Sequence, residues 1–110
     1  MDWKLLTTED QLQEIRERSA QTPQIIFKHS TRCSISTMAK SRLERAKAPE
    51  DVDFYYLDLI RYRNISNKIE TEFMVSHESP QVLLIRNGAC IYHESHSGIS
   101  MDEIEEQSKK

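Results

Sequence analysis

The sequence is poor in cysteine: its 110 residues include only two, Cys33 and Cys90. Two cysteines cannot form the several disulfides that stabilise a small secreted domain. In a reducing compartment, we expect each of them to be either catalytic or simply buried. The chain also lacks internal repeats, low-complexity segments and linkers, so its length predicts a single domain over residues 1–110.

Long apolar runs are absent as well. The longest aliphatic stretches, Val82–Ile85 and Ile25–Phe27, are far too short to span a membrane. Residues 1–10 contain no apolar segment of signal-peptide length. We therefore predict a cytoplasmic protein with no membrane association.

The sequence has no strong charge of either sign. It contains 15 Lys and Arg residues and 18 Asp and Glu residues, which gives a formal net charge of −3. No global basic field favours nucleic acid, and the pair Tyr55-Tyr56 has no interleaved basic patch for stacking bases. With 37% apolar and 30% charged residues, the composition is typical of a soluble globular domain.

What the sequence does contain is a regular alternation of strand and helix patterns. β-forming runs predict strands at residues 3–5, 24–29, 52–59, 81–86 and 89–94, the last two joined by an Asn87-Gly88 hairpin. Apolar spacing predicts helices at about residues 9–20, 34–46, 65–73 and 101–107. The order β-α-β-α-β-α-β-β-α predicts an α/β domain with a central mixed sheet and helices on both faces. This order resembles that of the thioredoxin fold.

The second predicted helix has the clearest periodicity. One face carries six side chains at helical spacing: Ile35, Met38, Ala39, Arg42, Leu43 and Ala46. The aliphatic stem of Arg42 can lie along such an apolar face. We expect this face to pack against the core.

Cys33 lies between a buried strand and this helix. A thiol at a helix N-terminus meets unpaired N–H groups and the positive end of the helix dipole, both of which favour the reactive thiolate. Ser36 occupies the place of the second cysteine in a dithiol motif, and its N–H or hydroxyl can donate to the thiolate. Arg32 adds a neighbouring positive charge. We predict that Cys33 is a nucleophile without a resolving thiol in this motif.

Ser79-Pro80 precedes the fourth predicted strand. In thioredoxin folds a cis-proline at this place faces the redox cysteine, and the residue before it offers backbone hydrogen bonds to an extended substrate. We therefore predict a cis bond at Pro80 and substrate contacts at Ser79. His29 and His77 are expected near this site, with no role assigned to either.

The run Cys90-x-x-His93-x-x-His96 has some resemblance to a metal motif. Strand alternation would place Cys90, Tyr92, Glu94 and His96 on one face and His93 on the other, and a tetrahedral zinc site needs further ligands. We predict no metal site here, and we interpret Cys90 as a buried cysteine of an edge strand.

The segment from Phe27 to Ser36, followed by Met38-Ala39, resembles the active-site region of the monothiol bacilliredoxins of the YtxJ (BrxC) type. The family usually carries proline directly after the active cysteine, whereas this chain carries Ser34. That replacement makes the first helical turn more flexible and can tune the thiol.

The resemblance implies a monothiol thiol-disulfide oxidoreductase that removes bacillithiol, or a similar low-molecular-weight thiol, from protein mixed disulfides. Cys33 would be catalytic, and the residues that stabilise the thiolate or bind substrate would be Arg32, Ser34, Ser36, Ser79 and Pro80. Bacillithiol has a malate moiety with two carboxylates, for which Arg32 is the preferred partner and Lys28 the alternative. The partners would be S-thiolated client proteins, the small thiol would be a co-substrate, no cofactor would be bound, and the chain would be a monomer.

Two other functions remain open at this point. A monothiol glutaredoxin can carry an iron–sulfur cluster between two subunits, although Ser34 and Ile35 replace the glycine and phenylalanine of its motif. The thioredoxin scaffold also permits a non-enzymatic interaction module. Visible absorbance would identify the first, and an unreactive Cys33 would favour the second.

Overall fold

Five strands and four helices alternate along the chain in a computed structural model that describes all residues, 1–110. The strands are β1 (Trp3–Leu5), β2 (Gln24–His29), β3 (Asp53–Asp58), β4 (Gln81–Arg86) and β5 (Ala89–Ser95). The helices are α1 (Asp10–Arg18), α2 (Ser34–Arg45), α3 (Arg63–Phe73) and α4 (Met101–Ser108), and a 3₁₀ turn at His96–Gly98 precedes α4. The predicted order of elements is confirmed.

The five strands form one mixed sheet in the order β1-β3-β2-β4-β5. β3 pairs in parallel with both β1 and β2, as helical crossovers require, whereas β4 runs antiparallel to β2 and β5. The turn between β4 and β5 places Asn87 at φ 52° and Gly88 at φ 81°. Asparagine and glycine tolerate such left-handed backbone, so the predicted two-residue hairpin is confirmed.

The sheet separates two apolar clusters. On one face, α1 and α3 bury Leu12, Ile15, Ile65, Ile69 and Phe73 against the strands. On the other face, α2 and α4 bury Ala39, Leu43, Met101 and Ile104. β2 is buried along its whole length because it lies at the centre of the sheet with helices on both sides. The predicted α/β class, with helices on both faces, is confirmed. None of the four helices combines the length and apolarity that a membrane crossing needs.

The apolar face predicted for α2 is partly wrong. Ala39 and Leu43 are buried, but Ile35 is 53% exposed and Met38 is 62% exposed. The reason is the rotation of the helix: Ser36, which is fully buried, turns toward the sheet in line with Ala39 and Leu43. Ile35 and Met38 are thereby left at the surface, in the two turns nearest to Cys33.

The predicted alternation of side chains along β5 is also wrong. A bulge shifts the register so that Leu84 pairs with Tyr92 while Ile85 pairs with Cys90. Ile91 is the extra residue, so Cys90 packs against the cluster beneath α1 and α3 and Tyr92 packs on the opposite side. His93 pairs with Leu83 and thus lies on the same face as Cys90.

Candidate functional site

Cys33 is the N-cap residue of α2 and is partly exposed. Its N–H donates to the carbonyl of Ser30 at 3.2 Å, and its carbonyl accepts from the N–H of Thr37 at 3.0 Å. The Sγ atom makes no capping hydrogen bond, and the first turn of α2 contains no acidic residue. The positive end of the helix dipole is therefore not neutralised by an acidic side chain in the first turn of its own helix.

Ser36 lies one turn into α2 and points into the protein. Its Oγ is 2.7 Å from Nδ1 of His29 and accepts a hydrogen bond from the N–H of Ser30 at 3.0 Å. The hydroxyl is thus occupied by the end of β2 and by the loop that follows it. Its predicted contact with the Cys33 sulfur is not formed in this structure.

Arg32 and Ser34 flank the thiol at the surface. Both residues are exposed, and Arg32 makes no ion pair within the chain, so its guanidinium is free to meet an anionic ligand. Lys28, the alternative carboxylate partner, is fully buried on the α1 and α3 side of the sheet. Burial lowers the pKa of Lys28 to about 8, and its Nζ has no hydrogen-bond partner. Lys28 therefore cannot present its charge to a ligand at the surface.

The Ser79–Pro80 peptide bond is cis. Pro80 stands at the start of β4, at the same end of the sheet as the Cys33 loop, because the next residue, Gln81, pairs with Lys28. The Pro80 carbonyl accepts a hydrogen bond from the N–H of His96 at 3.0 Å. The backbone N–H and C=O of Ser79 have no partner within the chain, so they remain available to an extended polypeptide.

His29 is the site residue for which the sequence provided no role. Its ring is 5% exposed and lies between the rings of Phe27 and Tyr56, at centroid distances of 5.8 and 5.5 Å. Burial, followed by the nearby charge of Lys40, lowers the pKa of His29, so the imidazole is neutral at pH 7. A polar residue at the end of an apolar strand was the available signal, but nothing in the sequence paired His29 with Ser36.

His77 is tied to α3 instead of the Cys33 loop. Its N–H donates to Glu70 at 2.6 Å, and its Nδ1 is 3.5 Å from the hydroxyl of Ser66. Burial, followed by the charge of Lys28, lowers the pKa of His77. It therefore supports the segment that leads to Pro80 from the α3 side.

Cys90 lies far from Cys33 along the sheet. Its strand partner, Ile85, lies beside Gln24 at the start of β2, whereas Cys33 follows the end of that strand. Burial raises the pKa of the Cys90 thiol, and its Sγ is 3.3 Å from the carbonyl oxygen of Tyr92. The structure contains no group of three or more His, Cys, Asp or Glu side chains that could hold a metal ion.

The largest groove on the surface, about 750 Å³, lies between the loop after α2 and helix α4. None of the five main cavities is lined by Cys33. The thiol is therefore offered on an open surface, which a protein-sized disulfide can approach.

Comparison with known proteins agrees with this geometry. The family model described as monothiol bacilliredoxin BrxC matches residues 4–104. A candidate oxidoreductase with a thioredoxin fold is 29% identical, with a TM-score of 0.79 over 96% of this chain and 92% of its own. Thioredoxin from Fasciola hepatica is 15% identical, with a TM-score of 0.75 over 96% of each chain. Mitochondrial thioredoxin 3 from Saccharomyces cerevisiae is 24% identical, with a TM-score of 0.66 over 97% of this chain and 93% of its own. The last two show similarity of fold.

Proposed function

Because the chain belongs to the monothiol bacilliredoxin family, BrxC, and is a thiol oxidoreductase of thioredoxin fold, we propose that it removes bacillithiol from protein mixed disulfides. The observation that carries this proposal is a partly exposed Cys33 at the N-cap of α2, with Ser36 in place of a second thiol. An enzyme of this kind can carry a small-thiol adduct but cannot resolve it with its own neighbouring cysteine.

The proposed reaction has two thiol–disulfide exchanges. The Cys33 thiolate attacks the bacillithiol sulfur of the mixed disulfide, which forms a Cys33–bacillithiol disulfide and releases the client cysteine as a thiolate. A second bacillithiol thiolate then attacks the bacillithiol sulfur on Cys33. This step forms bacillithiol disulfide and returns the Cys33 thiolate. In the net reaction, one free bacillithiol thiolate and the client mixed disulfide give bacillithiol disulfide and the client thiolate, which takes up a proton. One disulfide is broken and one is formed, so no further oxidant or reductant is needed.

The malate carboxylates of bacillithiol need a cation close to the thiol. Arg32 is the residue before Cys33, is exposed and has no intramolecular ion pair. A guanidinium can hold a carboxylate with two parallel hydrogen bonds, which a lysine cannot do. These properties support Arg32 as the partner of the small thiol.

A client protein would meet two further features around the thiol. The unpartnered N–H and C=O of Ser79 can pair with an extended client segment. In the first turns of α2, the exposed side chains of Ile35 and Met38 offer apolar contact. In the exchange three sulfur atoms stand in line, so the client sulfur comes within roughly 4–5 Å of the Cys33 sulfur. The client residues next to its cysteine are then close to these two side chains.

The test uses a client protein that carries bacillithiol on a single cysteine. The enzyme with Cys33→Ser should release no bacillithiol, whereas the matched variant Cys90→Ser should retain the activity of the unmodified chain. Peptide mass analysis of the unaltered chain, after reaction with the mixed disulfide in the absence of free bacillithiol, should show one bacillithiol on Cys33. An adduct on Cys90, or full activity of Cys33→Ser, would contradict the assignment. A protein in which Cys33 does not react at all would instead be an interaction module.

A further inference from the structure

The buried hydrogen bond between His29 and Ser36 is not explained by the exchange chemistry. The two side chains meet at 2.7 Å, and the Ser36 oxygen also accepts from the N–H of Ser30 at 3.0 Å. Ser30 in turn accepts from the N–H of Cys33. A single hydroxyl therefore joins the end of β2, the loop and the first turn of α2 around the reactive thiol.

Ser36 lies three residues after Cys33, so the two residues are neighbours in the first turn of the helix. Cys33 is the N-cap of α2 and Ser36 is its third helical residue, the pair of positions whose side chains and backbone groups exchange hydrogen bonds in a capping box. A change of rotamer would turn the Ser36 hydroxyl from the core toward the thiolate. The contacts with His29 and with the N–H of Ser30 hold the hydroxyl in the core, and only the one with His29 can take up its proton.

The direction of that hydrogen bond decides where the Ser36 proton lies. A hydroxyl has one proton, and a neutral imidazole has one nitrogen that accepts and one that donates. If Nδ1 accepts, the Ser36 proton is committed to His29. If Nδ1 carries the proton, Ser36 receives two hydrogen bonds and its own proton is free to turn toward Cys33.

We propose that His29 is a positioning residue that accepts the Ser36 hydroxyl proton at Nδ1 and thereby withholds it from the Cys33 thiolate. This inference rests on the proposed role of Cys33 as nucleophile and adds a residue to it. A thiolate that receives no hydrogen bond from a hydroxyl keeps more of its basicity and so of its nucleophilicity. His29 would thus keep the Cys33 thiolate nucleophilic, whereas a hydrogen bond from the Ser36 hydroxyl would lower its nucleophilicity.

The surroundings of the ring hold it neutral in this role. The ring stacks on Phe27 and packs against the tilted ring of Tyr56, and these two contacts hold it in place. The charged groups that act on the ring are Lys40 and Glu44 of α2 and Asp58 of β3; the lysine disfavours protonation of the ring, and the two carboxylates favour it. At low pH a protonated ring would donate from Nδ1, and the hydrogen bond to Ser36 would reverse.

The first test observes the tautomer directly in the unaltered protein. Long-range ¹H–¹⁵N NMR spectra of the ¹⁵N-labelled chain at pH 7.5 should show His29 with an unprotonated Nδ1 and a protonated Nε2. A protonated Nδ1 would overturn the proposal. The measurement needs no variant and no bacillithiol, so its result is separate from the success or failure of the proposed reaction.

The second test follows the rate of alkylation of Cys33 by iodoacetamide against pH, in the Cys90→Ser background. With His29→Phe, which keeps the aromatic stack, the midpoint of the profile should fall by about 0.5–1 pH unit. The plateau rate should then fall about two- to three-fold, because nucleophilicity follows basicity. His29→Phe combined with Ser36→Ala should restore both values to those of the Cys90→Ser background.

The double variant distinguishes positioning from a merely structural role. If His29→Phe and the double variant have the same profile, the effect of His29 does not pass through the Ser36 proton and the proposal fails. It also fails if Ser36→Ala alone raises the midpoint, because the hydroxyl would then already donate to Cys33. His29→Asn, which can offer an amide oxygen near the place of Nδ1, should keep the original profile.

Discussion

Cys33 has the backbone conformation that a residue adopts before proline, although Ser34 follows it. Its φ of −115° and ψ of 122° lie in the extended region that a following proline ring enforces. Ser34 is the first residue of α2, and its N–H has no acceptor in the chain. The one position at which the active-site segment departs from the family motif is therefore already shaped for the missing proline.

Ser34→Pro should accordingly be tolerated. We expect the free energy of unfolding to rise by about 0.4–1 kcal/mol, because proline restricts the unfolded chain and costs no hydrogen bond at this position. Turnover of the mixed disulfide should stay within about two-fold. The control is Ser41→Pro in the interior of α2, which should cost roughly 3 kcal/mol or more. Chemical denaturation of the three proteins measures both effects, and an equal loss in the two variants would contradict this interpretation.

Arg32→Ala should weaken the use of bacillithiol. Loss of the carboxylate contact is expected to lower kcat/KM for a bacillithiol mixed disulfide roughly three- to ten-fold, mainly through KM, because the contact is exposed and screened. The matched control is Arg45→Ala, at the opposite end of α2. A mixed disulfide with a thiol that lacks carboxylates should be used equally well by all three proteins. Equal kinetics of Arg32→Ala and Arg45→Ala on the bacillithiol substrate would remove Arg32 from the site.

Removing the exposed apolar side chains of Ile35 and Met38 should lower the activity on protein substrates specifically. Replacing both by glutamine should lower kcat/KM on an S-bacillithiolated protein roughly 5- to 20-fold, because a client would no longer bury the two apolar surfaces. Activity on a small bacillithiol mixed disulfide should be unchanged. Met74→Gln, which changes an exposed methionine at the end of α3, should have no effect on either substrate. A parallel loss on both substrates would point to damage at Cys33 itself.

Because Lys28 is buried, we expect the protein to become more stable as the pH rises above about 8. Its pKa is about 8 in the folded protein, against 10.5 for a lysine in water, so the unfolded chain binds more protons between these values. The contribution of Lys28 to the free energy of unfolding should therefore not change below pH 8 and should rise between pH 8 and pH 10.5. Lys28→Met should remove the rise and should add about 2–3 kcal/mol at pH 7, because no charge is then buried. Urea titrations at pH 7, 8.5 and 10 measure this, and a less stable Lys28→Met would show that the ammonium has a partner.

The sequence predicted those parts of the fold that follow from local patterns. β2 and β4 have the predicted bounds because each is a continuous apolar run ended by turn residues, and the hairpin follows from Asn87-Gly88. α3 was predicted from about residue 65 but begins at Arg63, because the N–H groups of Ile65 and Ser66 already bond to the carbonyl of Tyr62, its N-cap. Local signals of this kind do not depend on the rest of the chain.

The errors come from contacts made at a distance. The rotation of α2 was predicted wrongly because Ser36 was not counted on its buried face, whereas its hydroxyl is held in the core by His29, seven residues earlier. The face of Cys90 was wrong because the bulge in β5 depends on how that strand meets β4. The position of Cys33 was predictable, since the end of a strand and the start of a helix are both local features.

The bulge in β5 has a consequence for how the chain handles oxidising equivalents. It turns Cys90 to the α1 and α3 side, level with Ile85 and Gln24, while Cys33 lies beyond the far end of β2. Five residues of strand separate these levels, or roughly 16 Å, whereas the Cα atoms of a disulfide must lie within about 7 Å. The two cysteines are therefore too far apart in the folded chain to form an intramolecular disulfide. On the proposed mechanism, a small-thiol adduct on Cys33 would therefore have to be removed by a thiol of another molecule.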